Sequence, residues 1–153
     1  MFVRCNGRGW KGYEGDGRKR RLRCGRCREL SEKETCLCLN DTVTTSGSKG
    51  TFNLVQKCKF CQREGVIMMI AGKGKPLTQE MSEAGMDAPL MVFDCRGYEP
   101  VDFVFGGSWK AESTSGTKFD DIDLSGEDFA DYDEKGECPV MISNLRSTFE
   151  VLR

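Results

Sequence analysis

The chain contains no histidine. That absence removes Ser-His-Asp and Cys-His nucleophilic catalysis, imidazole proton shuttling and every mixed cysteine–histidine zinc site. Alanine is scarce, which works against long helices. No apolar run is long enough to span a membrane, and the first residues lack the apolar stretch of a secretory leader. The expected location is therefore the reducing cytoplasm, with nuclear presence compatible with the same features. Net charge is -1, so no overall field draws the chain to nucleic acid or to a membrane.

What is present points to strands. Eighteen glycines in 153 residues separate short runs rich in valine, threonine and phenylalanine, a pattern of strands and turns. The apolar fraction, 38%, is low for a globular domain, and a bound metal would help such a chain to fold. Residues 1–21 are glycine-rich and carry no periodic apolar face. They are expected to form a disordered or atypical N-terminal segment, ahead of a β domain over residues 22–153. Strands are expected near 34–43, 51–57, 65–71, 89–95, 101–105, 109–112, 140–145 and 148–152. One helical turn is expected near 78–83, capped by Thr78. A faint internal echo links Leu22-Arg23-Cys24 with Phe93-Asp94-Cys95 and Gly50-Thr51-Phe52 with Gly116-Thr117-Lys118-Phe119. It points to two related β units.

Nine cysteines are present, and four of them form two pairs, Cys24-Gly25-Arg26-Cys27 and Cys58-Lys59-Phe60-Cys61. Four thiolates on two tight turns suit one tetrahedral Zn2+ at about 2.3 Å from each sulfur, a closed site with no position left for water. Arg26, Arg28, Lys57 and Lys59 flank the ligands and would offset the charge of such a centre. Thioredoxin-type chemistry needs a single CxxC opening a helix in a βαβ unit, which does not match this setting. Cys36 and Cys38 are close enough in sequence for soft-metal binding, although small buried packing residues are the simpler reading. Cys95 reads as a residue ending a strand. The acidic stretch from Asp120 to Glu137 lacks the ligand order of an EF-hand. Lys73-Gly74-Lys75 lacks the glycine spacing and the Ser or Thr of a P-loop.

Three longer motifs carry a family resemblance. They are Cys24-Gly25-Arg26-Cys27 followed by Glu29 and Ser31, the run from Leu54 to Glu64, and Phe93-Asp94-Cys95-Arg96-Gly97-Tyr98-Glu99-Pro100-Val101-Asp102-Phe103. With Gly116–Phe119 and Asp131–Lys135, they resemble the eukaryotic CXXC-motif-containing zinc-binding proteins over roughly Leu22 to Arg153. The resemblance implies an all-β fold of antiparallel sheets, packed as a sandwich or barrel-like domain. It implies one structural Zn2+ held by Cys24, Cys27, Cys58 and Cys61, and no enzymatic activity.

The expectation is thus a non-catalytic, monomeric zinc-binding protein acting through protein–protein contacts. Arg96, Tyr98, Glu99 and Asp102 are expected on the partner-binding surface. A thiol-redox or copper-handling role is the first alternative. Nucleic-acid binding through the basic stretch Arg18–Arg28 is the second, disfavoured by the net charge.

Overall fold

The computed structural model describes residues 2–6, 11–13, 18–32, 35–45, 50–126 and 128–152. The largest sheet is antiparallel and five-stranded, in the order β15 (Arg146–Glu150), β1 (Phe2–Asn6), β9 (Ala88–Arg96), β8 (Glu64–Ile70), β7 (Leu54–Lys57). A second sheet sets β3 (Arg18–Cys24) between β10 (Tyr98–Val104) and β4 (Thr35–Leu37). A third sets β11 (Trp109–Glu112) between β12 (Lys118–Ile122) and β2 (Lys11–Tyr13). Two hairpins complete the fold, β5 (Val43–Thr44) with β6 (Thr51–Phe52) and β13 (Phe129–Asp133) with β14 (Cys138–Ile142). The one helix among the described residues, α1 (Gln79–Glu83), is capped by the Thr78 hydroxyl, which accepts the Met81 N–H at 3.3 Å. The all-β antiparallel expectation holds.

Within the N-terminal segment expected to be disordered or atypical, the described residues form strands, while residues 7–10 and 14–17 lie outside the described residues. β1 pairs with both β15 and β9, β2 pairs with β11, and β3 runs across the expected boundary at residue 21. Local sequence could not show this. Short strands between glycines have little propensity of their own, and neighbours distant in sequence supply their hydrogen bonds. The expected strand over 34–43 is also cut short. It becomes β4 and β5, and the returning strand is broken at Asn53. The Asn53 side chain lies at 3.0 Å from the carbonyls of Cys38, Leu39 and Asp41 as their donor, and accepts the Met69 N–H at 2.7 Å. One side chain therefore satisfies backbone groups that a continuous ladder would have used.

Two apolar clusters form the core. The first gathers Leu22, Leu37, Ile67, Met91, Phe93 and Tyr98 around Cys24 and Cys58. The second gathers Trp109, Ala111, Ile122 and Ile142. Leu90, Phe103, Phe105 and Leu145 touch both and join them. The Phe103 and Phe105 rings meet edge to face at 5.1 Å, and the Trp109 indole N–H donates to the Phe105 carbonyl at 2.5 Å. That bond satisfies the indole's only polar atom inside the apolar junction.

Two loops are tied together by a buried carboxylate. Asp133 is 1% exposed. It accepts the hydroxyls of Ser115 and Thr117 at 2.5 Å each, and the backbone N–H groups of Lys135 and Gly136 at 3.0 and 3.1 Å. These bonds fasten the β13–β14 turn to the loop between β11 and β12. Hydroxyls from Ser113, Ser115 and Thr117 hold the Asp133 carboxyl well below the usual carboxylate range.

Candidate metal centre

Each CxxC pair occupies a turn of the same construction. In the first, the Cys24 N–H donates to Glu29 O at 2.8 Å and the Arg28 N–H donates to Cys24 O at 3.0 Å. In the second, the Cys58 N–H donates to Arg63 O at 2.8 Å and the Gln62 N–H donates to Cys58 O at 2.9 Å. The fifth residue of each turn is left-handed, Arg28 at φ 65° and Gln62 at φ 58°. The matching bonds and dihedrals make the two turns local copies, one at the end of β3 and the other between β7 and β8.

The turns bring four sulfurs together. All four lie within 4.8 Å of one another. Cys24 Sγ is 3.7 Å from Cys61 Sγ, and Cys27 Sγ is 3.5 Å from Cys58 Sγ. A tetrahedron with bonds of about 2.3 Å has edges of about 3.8 Å. The donor set therefore fits a Zn2+ with little adjustment. Cys24 and Cys58 are buried, while Cys27 and Cys61 are half-buried.

The electrostatics of the bare thiols favour the same ion. The N–H groups of Cys27 and Arg26 pull the Cys24 thiol down to about 6, against burial. The Cys61 N–H, with help from that of Phe60, lowers Cys58 in the same way. Cys27 responds in the opposite sense. The Glu29 N–H lowers it, but burial and the Cys58, Cys24 and Cys61 thiols outweigh that bond and push it up to about 12. Four like charges this close cannot all be carried by the protein alone. A divalent cation at their centre removes the conflict and lets all four thiols ionise. The chemistry such an ion supplies here is cross-linking of two chain segments.

The Phe93–Phe103 motif acquires a physical reason here. It forms the end of β9, the turn at Gly97 and the start of β10, and that turn is wedged between the two knuckles. Gly97 O accepts the Gly25 N–H at 2.9 Å, which ties it to the first knuckle. Its Cα has φ +81°, and a Cβ there would lie 3.1 Å from Gly65 Cα and 3.2 Å from Glu64 O, at the exit of the second. A Cβ on Gly65 would overlap the Tyr98 ring and sit 2.9 Å from Arg96 O. Gly65 and Gly97 thus let the two backbones approach where side chains would hold them apart. Tyr98 is 4% exposed and packs over the thiols. Burial, then the charges of Cys58, Cys24 and Cys61, push its hydroxyl up to about 12, so it stays neutral.

The residues expected on a partner surface are placed differently from one another. Tyr98 is turned inward, because its ring fills the space above the metal ligands. Arg96, Glu99 and Asp102 stay on the surface, where each has an ion-pair partner. Arg96 meets Asp94 at 2.8 Å, Glu99 meets Arg28 at 3.1 Å and Asp102 meets Arg21 at 3.8 Å. The last two pairs bridge β10 to β3 and to the first knuckle, joining Arg21 and Arg28 of the basic stretch to the Phe93–Phe103 motif. Among the described residues, Cys38, Cys95 and Cys138 lie outside the four-thiol cluster. The side chain of Cys36 is outside the described residues. Sequence reasoning missed Asp133 and Asn53. The run Asp131-Tyr132-Asp133 offers two aspartates of equal polarity, and nothing local marks the second as the buried one.

Comparison with known proteins agrees with this geometry. The profile of the eukaryotic CXXC motif containing zinc binding proteins matches residues 20–150. The human CXXC motif containing zinc binding protein is 39% identical over 130 residues, covering 84% of this chain and 80% of the human one. A UPF0587 protein of Caenorhabditis elegans is 36% identical over 134 residues, covering 87% and 79%. The crystal structure of C1orf123 superposes with a TM-score of 0.87 at 32% identity, covering 96% of each chain. A hypothetical protein from Plasmodium falciparum shares the fold, with a TM-score of 0.83 at 21% identity over 95% of this chain and 96% of that one. The chain is a member of the eukaryotic CXXC motif containing zinc binding protein family.

Proposed function

We propose that this zinc-binding protein is non-catalytic and acts through protein–protein contacts, as a cytoplasmic monomer. The observation that carries the reading is the closed ligand set. Four sulfurs converge on one point, and a tetrahedral ion there has no vertex left for water or substrate. The metal then holds two knuckles and the Gly97 turn in fixed positions, and the surface they display is the functional element. Phe60, at the tip of the second knuckle, is 77% exposed, and Leu30 beside the first is 37% exposed. Apolar side chains displayed on a metal-stiffened loop suit contact with another protein.

The test replaces zinc by Co2+ and reads the visible spectrum. The expected result is the intense absorption of a tetrahedral four-sulfur site, unchanged by added azide or cyanide. A spectrum that shifts with either anion would reveal an open coordination position and overturn the non-catalytic reading.

A further inference from the structure

The β13–β14 hairpin has an apolar outer face. Its register sets Ala130 opposite Met141 and Tyr132 opposite Pro139, and opposite residues of an antiparallel pair share a face. All four are exposed, Tyr132 at 53% and Met141 at 52%. On the opposite face Asp131 and Cys138 are exposed and the other residues turn inward. Phe129, Val140 and Ile142 join the second core, and Asp133 is held by the 113–117 loop. A lone hairpin would be marginal, but these inner contacts make the outer face a fixed platform.

The surroundings are acidic. Nine Asp or Glu residues and a single lysine, Lys135, lie between Asp120 and Glu137. Asp133 is used internally, and Asp120 pairs with Lys110 at 3.4 Å. Asp128, Glu134 and Glu137 are exposed at the open end and the turn of the hairpin. Beside Met141 a groove of about 550 Å³ opens between β14 and α1, and Glu83 adds a further carboxylate to its wall. Neither strand invites edge addition. Pro139 has no N–H, and the Tyr132 N–H already donates to Asp131 Oδ1 at 2.7 Å. Contact must then be made with the face.

We infer that the outer face of this hairpin, formed by Ala130, Tyr132, Pro139 and Met141 within a rim of carboxylates, docks a basic amphipathic segment of another protein. An apolar side chain of that segment seats on Tyr132 and Met141, and its lysines or arginines reach the rim. The inference rests on the protein-contact reading above and gives that reading a surface and a partner chemistry.

The probe is a short synthetic peptide with leucines at helical spacing and lysines elsewhere. Added to the zinc-loaded full chain, it is expected to shift the amide resonances of Ala130, Tyr132 and Met141. A Tyr132→Ser, Met141→Ser double variant is expected to bind it roughly tenfold more weakly or worse, while keeping its zinc and its spectral dispersion. Raising salt is expected to weaken binding. Four results would overturn the inference: no binding, unchanged affinity in the double variant, equal affinity for a glutamate-for-lysine peptide, or self-association of the chain through this face. Resonance shifts centred instead on Phe60 and Leu30 would also overturn it, yet leave the protein-contact reading standing.

Discussion

Replacing Gly97 by alanine tests whether the β9–β10 turn is truly wedged between the knuckles. Two costs follow from its position. The left-handed backbone at φ +81° costs a side chain about 1–2 kcal/mol. The new Cβ would also press on Gly65 Cα at 3.1 Å and Glu64 O at 3.2 Å. Both are backbone atoms that cannot rotate away, so overpacking adds about 1–3 kcal/mol. The total, about 2–5 kcal/mol, lowers Tm by roughly 4–20 °C in a domain of this size. Gly106→Ala is the control. Gly106 has φ +62°, and its Cβ would meet nothing within 4 Å, so it carries the backbone cost alone. Circular dichroism melts of both variants, zinc-loaded, give the difference between the two costs. Zinc transfer to a chromophoric chelator should also be faster in Gly97→Ala, because Gly97 O anchors the Gly25 N–H of the first knuckle. Equal melting temperatures for the two variants would refute the wedge.

Two further predictions concern residues hidden from sequence reasoning. Asp133 has a folded-state pKa below its unfolded value, so its stabilisation is present above the ordinary carboxyl pKa of 3.8 and is lost as pH falls below it. Asp133→Asn should therefore lower Tm at pH 7 and flatten the acid limb of the stability profile, measured by urea unfolding from pH 7 to pH 3; an acid limb as steep as wild type would contradict this. Asn53→Ala removes the donor to three carbonyls and leaves the Met69 N–H without its acceptor, a loss of about 2 kcal/mol. Hydrogen exchange of the Met69 amide should speed up more than that of neighbouring β8 amides.

The sequence made the metal ligands legible because their chemistry is local. A CxxC turn fixes two sulfurs by itself, and only the joining of the two turns needs the fold. Strand positions with an apolar pattern were legible for a similar reason: Trp109 and Ala111 alternate with Lys110 and Glu112 inside β11. The N-terminal strands were hidden because β1 draws its bonds from β9 and β15, far along the chain. Tyr132, an aromatic residue in the acidic segment, is exposed. A strand alternates faces, and the partner loop that claims Asp133 sends the tyrosine outward. The Phe93–Phe103 motif was visible as a pattern but not as a mechanism. Its glycine and tyrosine matter only once Gly25 and Gly65 are in contact with it.

The central claim is that one zinc on Cys24, Cys27, Cys58 and Cys61 clasps the fold. The most direct measurement follows zinc release and unfolding together while a strong chelator is titrated into the protein. One zinc per chain should be released in step with the loss of the cooperative melting transition, and a Cys58→Ser variant should neither retain zinc nor melt cooperatively. A zinc-free chain that melts as the loaded one does would contradict it.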